Sequence, residues 1–178
     1  MPVSPSSVNL QEKYKNALNK IRVILLVADG VLTDGTISYT ESGDEIKSFH
    51  VRDGFAIRVA LEKGFKVIVI SERVSKAVRK RLIELGVTDI YLGIRNKLET
   101  YHELKYLNHF SDEECLYIGD ELSDIPIMKE AGFCVCPVGS PQYLRDRVAY
   151  VTAAEGGRGS IREAIELVLT EQGKWVNE

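Results

Sequence analysis

Long apolar runs are absent from this sequence. Each apolar stretch is about one strand long and is punctuated by charge, and the N-terminus has no apolar core of the signal-peptide kind. Neither a membrane span nor secretion is therefore expected, and the protein reads as cytoplasmic. A large charge of either sign is also absent: 23 basic against 26 acidic residues leave a net charge of −3. No general field for polyanions follows, so nucleic acid is not an expected partner and any anion site must be local. Histidine is scarce, and His50, His102 and His109 share no spacing, so no zinc site is expected. The three cysteines, Cys115, Cys134 and Cys136, are an odd set lying in or beside expected strands. They read as buried reduced thiols rather than as a disulfide or metal framework. Internal repeats and low-complexity linkers are missing, so nothing divides the chain.

What is present is an ordinary globular composition, 44% hydrophobic and 28% charged over 178 residues, enough for one domain with a good core. Residues 1–20 read as an N-terminal helical extension, with Leu10, Tyr14 and Leu18 at near-helical spacing. Residues 21–172 form the single domain and 173–178 a polar tail containing Trp175. Within the domain, short apolar runs at 22–27, 66–70, 89–92, 115–118 and 133–136 alternate with helical patterns at 54–63, 74–85, 97–107 and 124–131. A last helix follows at 161–170. This alternation predicts a Rossmann-like α/β fold, a mostly parallel sheet with helices on both faces. Gly64, Gly86 and Gly132 each follow a helical pattern, as C-terminal caps do. One segment breaks the rhythm: at about 36–51, Ile37, Tyr39, Ile46 and Ser48 flank Glu41-Ser42-Gly43-Asp44, which predicts an inserted β-hairpin. A lone hairpin has exposed edges, so it is expected to pack on something, plausibly another subunit.

The polar stations fall at expected strand ends. The run Ile24 to Val27 stops at Asp29-Gly30 and then Thr33-Asp34-Gly35; Ser71-Glu72-Arg73 follows the second run; Lys97 opens a helix; Gly119-Asp120 through Asp124 follows the fourth run. In an open parallel sheet such ends converge on one crevice, so these residues can meet there.

The first of these stretches resembles the opening motif of the haloacid dehalogenase superfamily of phosphohydrolases, Asp-x-Asp-Gly-x-x-(Thr/Ser)-Asp-Gly, with Val27 at the first Asp and Asp29 at the second. In that superfamily the first aspartate attacks phosphorus and the second is a general acid/base. A Ser or Thr and a Lys hold the phosphoryl oxygens, and the last motif holds magnesium. The resemblance implies Asp29 as general acid/base, Ser71 and Lys97 as phosphate contacts, and Mg2+ held by Asp29, Asp120 and Asp124. Nearly the whole chain, about 21–172, is similar to the small tetrameric sugar-acid phosphatases typified by 3-deoxy-manno-octulosonate 8-phosphate phosphatase. The hairpin, Val51-Arg52-Asp53-Gly54, Asn96-Lys97-Leu98 and Gly156-Gly157-Arg158-Gly159 with Arg162-Glu163 carry that similarity. It implies a homotetramer built through the hairpin, and Arg73 and Arg158 as substrate-binding residues. The strings around Ser71-Glu72-Arg73 and Glu121-Leu122-Ser123-Asp124 are also similar to the C-terminal module of animal CMP-sialic acid synthetases.

Three departures gather at the crevice. Val27 removes the nucleophile and a magnesium ligand together, because an isopropyl group has no lone pair to offer. Glu72 stands where glycine is usual, and Glu121 where a second aspartate is common. The expected function is therefore a phosphatase-like protein that is inactive or nearly so, with a sugar-acid-phosphate-binding, assembly or regulatory role. The alternative is an active Mg-dependent phosphohydrolase of 3-deoxy-octulosonate 8-phosphate or a nonulosonate 9-phosphate, with Asp29 activating water or Val27 an engineered change. Plainer roles stand beside these: Asp124 as a helix cap, Lys97 as a solvated lysine, Arg73 and Arg158 as surface arginines. Residues 155–160 are either a turn or a helix start whose amides bind an anion.

Overall fold

In the computed structural model, residues 14–175 are described. Residues 14–20 are helical (α1), so Tyr14 and Leu18 of the expected N-terminal helix lie in it and Leu10 lies outside the described residues. Then follow β1 (Val23–Val27), a hairpin of β2 (Ser38–Tyr39) and β3 (Glu45–Ile46), α2 (Val51–Glu62), β4 (Lys66–Ser71), α3 (Lys76–Glu84), β5 (Asp89–Leu92), α4 (Lys97–Asn108) and β6 (Cys115–Ile118). The chain continues through α5 (Ile125–Met128), β7 (Phe133–Cys136), α6 (Gln142–Arg145), β8 (Tyr150–Val151) and α7 (Ser160–Glu171).

Six strands pair in the order β5-β4-β1-β6-β7-β8, every pair parallel. Unbroken apolar runs suit central parallel strands because both faces are covered, and all five residues of β1 are buried. The chain runs outward from β1 to β4 and β5, then returns to place β6 on the other side of β1. The order thus reverses between β1 and β6, and a ligand crevice is expected at the carboxyl ends there. On one side α2 packs along α7, with α3 reaching α2 where Gly54 faces Arg81 and Leu85; α4 packs against α5. Gln172 Nε2 donates to the carbonyls of Leu18 and Ile21 at 2.8 and 2.7 Å, which fastens the end of α7 to α1. Trp175 meets Phe55 edge-on at 6.4 Å and lies under the Arg162 guanidinium at 4.5 Å, so the tail is anchored at least to this point.

Three expectations need correction. The hairpin ends before Val51, because α2 starts three residues earlier than the pattern at Gly54 suggests, with His50 as its cap residue. The helix expected at 124–131 is only the four-residue α5, preceded by a tight turn over Leu122–Asp124. Gly132 is not a left-handed cap like Gly64 and Gly86; a Cβ there would stand 2.6 Å from Glu113 Cα, so its role is close backbone approach. The two-residue β8 is too short to leave a periodic signal.

The hairpin pairs Ser38 with Ile46 and Tyr39 with Glu45, closed by Thr40 N–H to the Asp44 carbonyl at 2.9 Å. Ile37, Tyr39 and Ile46 are exposed on it.

Candidate active-site crevice

The end of β1 is shaped by three glycines. After Val27 the backbone turns tightly through Ala28–Leu32, with Gly30 at φ 79°. A Cβ on Gly30 would lie 1.8 Å from Asp120 Oδ2, so only glycine lets the loops after β1 and β6 close on each other. From the other side, Gly156 presses its backbone on Gly30, where a Cβ would be 1.8 Å from the Gly30 carbonyl oxygen, and Gly157 N–H donates to Val31 O at 2.8 Å. The Gly156-Gly157 pair is therefore a backbone-to-backbone clasp on the loop that carries Asp29.

A crevice of about 170 Å³ opens at these strand ends. It is lined by Val27 of β1 and Asp29 just after it, Ser71 of β4 with Glu72 and Arg73 just after it, Lys97 from α4, and Asp120, Glu121 and Asp124 from the loop after β6. The stations at separate strand ends do meet. Val27 is buried there and presents only methyl groups.

Every cation of the crevice is held by a carboxylate of the same chain. Lys47, from the base of the hairpin, has a side chain only 1% exposed and donates to Asp29 Oδ1 at 2.6 Å. Arg73 lies 3.7 Å from Asp29 Oδ2 and donates to Glu45 Oε2 at 2.8 Å, so it ties the crevice to the hairpin. Ser75 hydrogen-bonds the other Glu45 oxygen, and this contact, with Arg73 and Lys47, holds the Glu45 carboxyl below its usual range. Lys97 donates to Asp124 Oδ1 at 2.6 Å and to Ser123 Oγ at 2.9 Å, and lies 3.3 Å from Glu72 Oε1.

Asp124 is fully buried and saturated: Oδ2 accepts the amides of Asp120 and Glu121 at 2.8 and 3.0 Å, and Oδ1 accepts Tyr117 Oη as well as Lys97. It both caps the turn over Leu122–Asp124 and orients Lys97. Asp120 makes no ion pair among the described residues; burial and the neighbouring Asp124 and Glu121 carboxylates push it up to about 6, with partial relief from Lys97. Ser71 Oγ accepts the Arg73 amide at 3.2 Å.

Lys47 has no signature in the sequence, because a lysine beside a hairpin strand belongs to no motif. Strand alternation was the available signal: Ile46 faces solvent, so its neighbour Lys47 turns towards the domain. Arg158 is not brought into the crevice; its guanidinium lies 3.4 Å from Asp34 Oδ2 on the far side of the β1 loop. The amides at the start of α7 do hold an anion, and it belongs to the chain: Gly159 and Arg162 N–H donate to the buried Asp53 carboxylate at 3.0 and 2.8 Å. Burial nevertheless raises the Asp53 carboxyl above its ordinary value, partly offset by these amides. None of the three histidines lines the crevice. The cysteines are free and buried, and burial pushes the Cys134 thiol up to about 12.

Solved structures put this arrangement in the haloacid dehalogenase class of α/β proteins. A putative HAD superfamily (subfamily III A) hydrolase from Legionella pneumophila superposes with a TM-score of 0.90 at 32% identity, over 96% of this chain and 94% of that one. The 3-deoxy-D-manno-octulosonate 8-phosphate phosphatase KdsC of Escherichia coli K12 is 39% identical over 170 residues, covering 96% of this chain and 88% of its own. The corresponding phosphatase from Moraxella catarrhalis, solved with magnesium ion, phosphate ion and a KDO molecule, superposes with a TM-score of 0.89 at 32% identity over 92% and 94% of the two chains. The chain belongs to the 3-deoxy-D-manno-octulosonate 8-phosphate phosphatase family. No protein-family model matches the sequence.

The side chains of the crevice offer a resident magnesium ion few free oxygens. Val27 offers none, Asp124 has both oxygens engaged inward, and Asp29 Oδ1 holds Lys47. Asp29, Asp120 and Asp124, expected as ligands, therefore line one crevice without presenting a joint ligand set. Among the described residues no three His, Cys, Asp or Glu side chains converge to hold a metal. Of the three expected ligands, Asp120 is the one whose carboxylate makes no ion pair among the described residues, at the low end of the one or two carboxylates by which Mg2+ is usually held beside phosphates and waters.

Proposed function

We propose that this chain keeps the fold and phosphoryl-facing crevice of the sugar-acid phosphatases but not their covalent chemistry, and serves as a binding, assembly or regulatory module. The observation that carries this reading is Val27 at the floor of the crevice, where attack on phosphorus needs a carboxylate. In this reading Ser71 and Lys97 face the phosphoryl oxygens and Arg73, with its planar fork, faces the carboxylate of a sugar acid. Divalent cation binding is weakened along with the nucleophile. The alternative, in which Asp29 activates water directly, is disfavoured by Lys47, whose ammonium occupies Asp29 Oδ1 at 2.6 Å. The hairpin is the proposed assembly surface of a homotetramer, because Ile37, Tyr39 and Ile46 are exposed on it.

A phosphate-release assay with magnesium, run on the protein and on Val27→Asp with 3-deoxy-octulosonate 8-phosphate and a nonulosonate 9-phosphate, tests the reading. The unaltered chain is expected to be silent. Turnover by it at ordinary enzymatic rates would sink the proposal, and turnover by Val27→Asp alone would show that the rest of the crevice is competent.

A further inference from the structure

Glu72 meets Lys97 inside the crevice. It directly follows Ser71 at the end of β4, and its Oε1 lies 3.3 Å from Lys97 Nζ. The two partners differ sharply in environment: the Lys97 side chain is 10% exposed, while that of Glu72 is 53% exposed. Lys97 is otherwise turned inward to Asp124 and Ser123, so the crevice-side approach to its ammonium is the one that Glu72 shares. The remaining cations at this end, Lys47 and Arg73, are held by Asp29 and Glu45. Asp120 and Glu121 add carboxylates with no ion pair among the described residues.

From this arrangement we propose that Glu72 is a displaceable internal occupant of the oxyanion position at Lys97, and so sets the affinity of the crevice for phosphoryl groups. The inference rests on the reading of the crevice as phosphoryl-facing. An ammonium with one carboxylate fixed behind it and another resting in front has little charge left for a third anion. A phosphate must either displace Glu72 into water, which the exposure of that side chain permits, or sit beside it against like-charge repulsion. In the first case binding competes with a contact at very high local concentration, and in the second it carries the repulsion as a cost. Glu121 lines the same crevice but forms no ion pair with Lys97; its carboxylate accepts the Leu122 amide at 2.7 Å. It is a built-in control for the general effect of removing one negative charge.

Titration of ¹⁵N-labelled protein with inorganic phosphate at constant ionic strength, following the Ser71, Lys97 and Asp120 amides, reads the affinity directly. Glu72→Gln is expected to bind phosphate at least tenfold more tightly than the unaltered chain, and Glu121→Gln less than threefold more tightly. Equal gains in both variants would reduce Glu72 to a bystander charge and overturn the proposal, as would an unchanged affinity in Glu72→Gln. Binding seen only in Glu72→Gln supports it; binding in neither protein overturns it. The measurement involves no turnover, so phosphate release by the unaltered chain would refute the preceding functional reading without moving this ratio.

Discussion

Replacing Gly156 by alanine should displace the loop that carries Asp29, and the size of the effect can be worked from the contact. The added Cβ would sit 1.8 Å from the Gly30 carbonyl oxygen, 2.5 Å from the Gly30 carbonyl carbon and 3.2 Å from the Thr33 oxygen. Ordinary non-bonded contact begins near ~3.5 Å, so the two backbones must part by roughly 1.5 Å. Gly30 cannot simply retreat, because Asp120 lies against its other side; a Cβ on Gly30 would itself meet Asp120 Oδ2 at 1.8 Å. The shift must also stretch the 2.8 Å hydrogen bond from Gly157 N–H to Val31 O. Overpacking of this kind costs about 3 kcal/mol, at the upper end for an inserted methyl because both neighbours are backbone. For a domain of this size that is a fall in Tm of about 6–12 °C. Differential scanning calorimetry measures it, and Gly139→Ala is the matched control, since a Cβ there meets nothing within 4 Å. If Gly156→Ala melts within about 2 °C of the parent, the clasp is looser than its geometry and the account of the Gly156-Gly157 motif fails.

Three further outcomes follow from the same contacts. Lys47→Met keeps the buried volume but strips Asp29 of its 2.6 Å partner; because Asp29 remains partly exposed and near Arg73, the loss is expected at about 1–2 kcal/mol in urea unfolding, and an unmoved midpoint would mean that the pair has no net value. Glu114, hydrogen-bonded by Arg22 and by the Ser111 amide, is held down at about 2 from an ordinary 4.5. A depressed folded value means that its contribution is present above about pH 4.5 and fades as the pH falls towards 2, so Glu114→Gln should flatten the acid limb of stability, and an identical limb in urea midpoints between pH 5 and 3 would refute this. If the hairpin builds the proposed homotetramer, Tyr39→Lys with Ile46→Lys should give smaller species than the unaltered chain in light scattering, and an unchanged mass would refute that assignment.

Much of the fold was legible because its signals are local. The apolar runs ending in Asp-Gly, Ser and Gly-Asp mark β1, β4 and β6, and a parallel sheet brings such ends together whatever lies between them. Lys97 at the start of α4 and Asp120 after β6 were legible for the same reason. Less legible were features whose signal is short or non-local: the two residues of β8, the four of α5, and the departure of Arg158 to Asp34.

By itself, then, the sequence determined the α/β architecture, the inserted hairpin and the presence of Val27 at the head of the sheet, because composition and periodicity act over a few residues at a time. Only the tertiary structure decided how the charges pair. Lys47 reaches Asp29 across 18 positions, Arg73 reaches Glu45 across 28, and the α7 amides receive Asp53 across more than 100. Ion pairing depends on separations of a few ångströms between residues distant along the chain. Whether a crevice offers free cations to a ligand or spends them on its own carboxylates is set by packing.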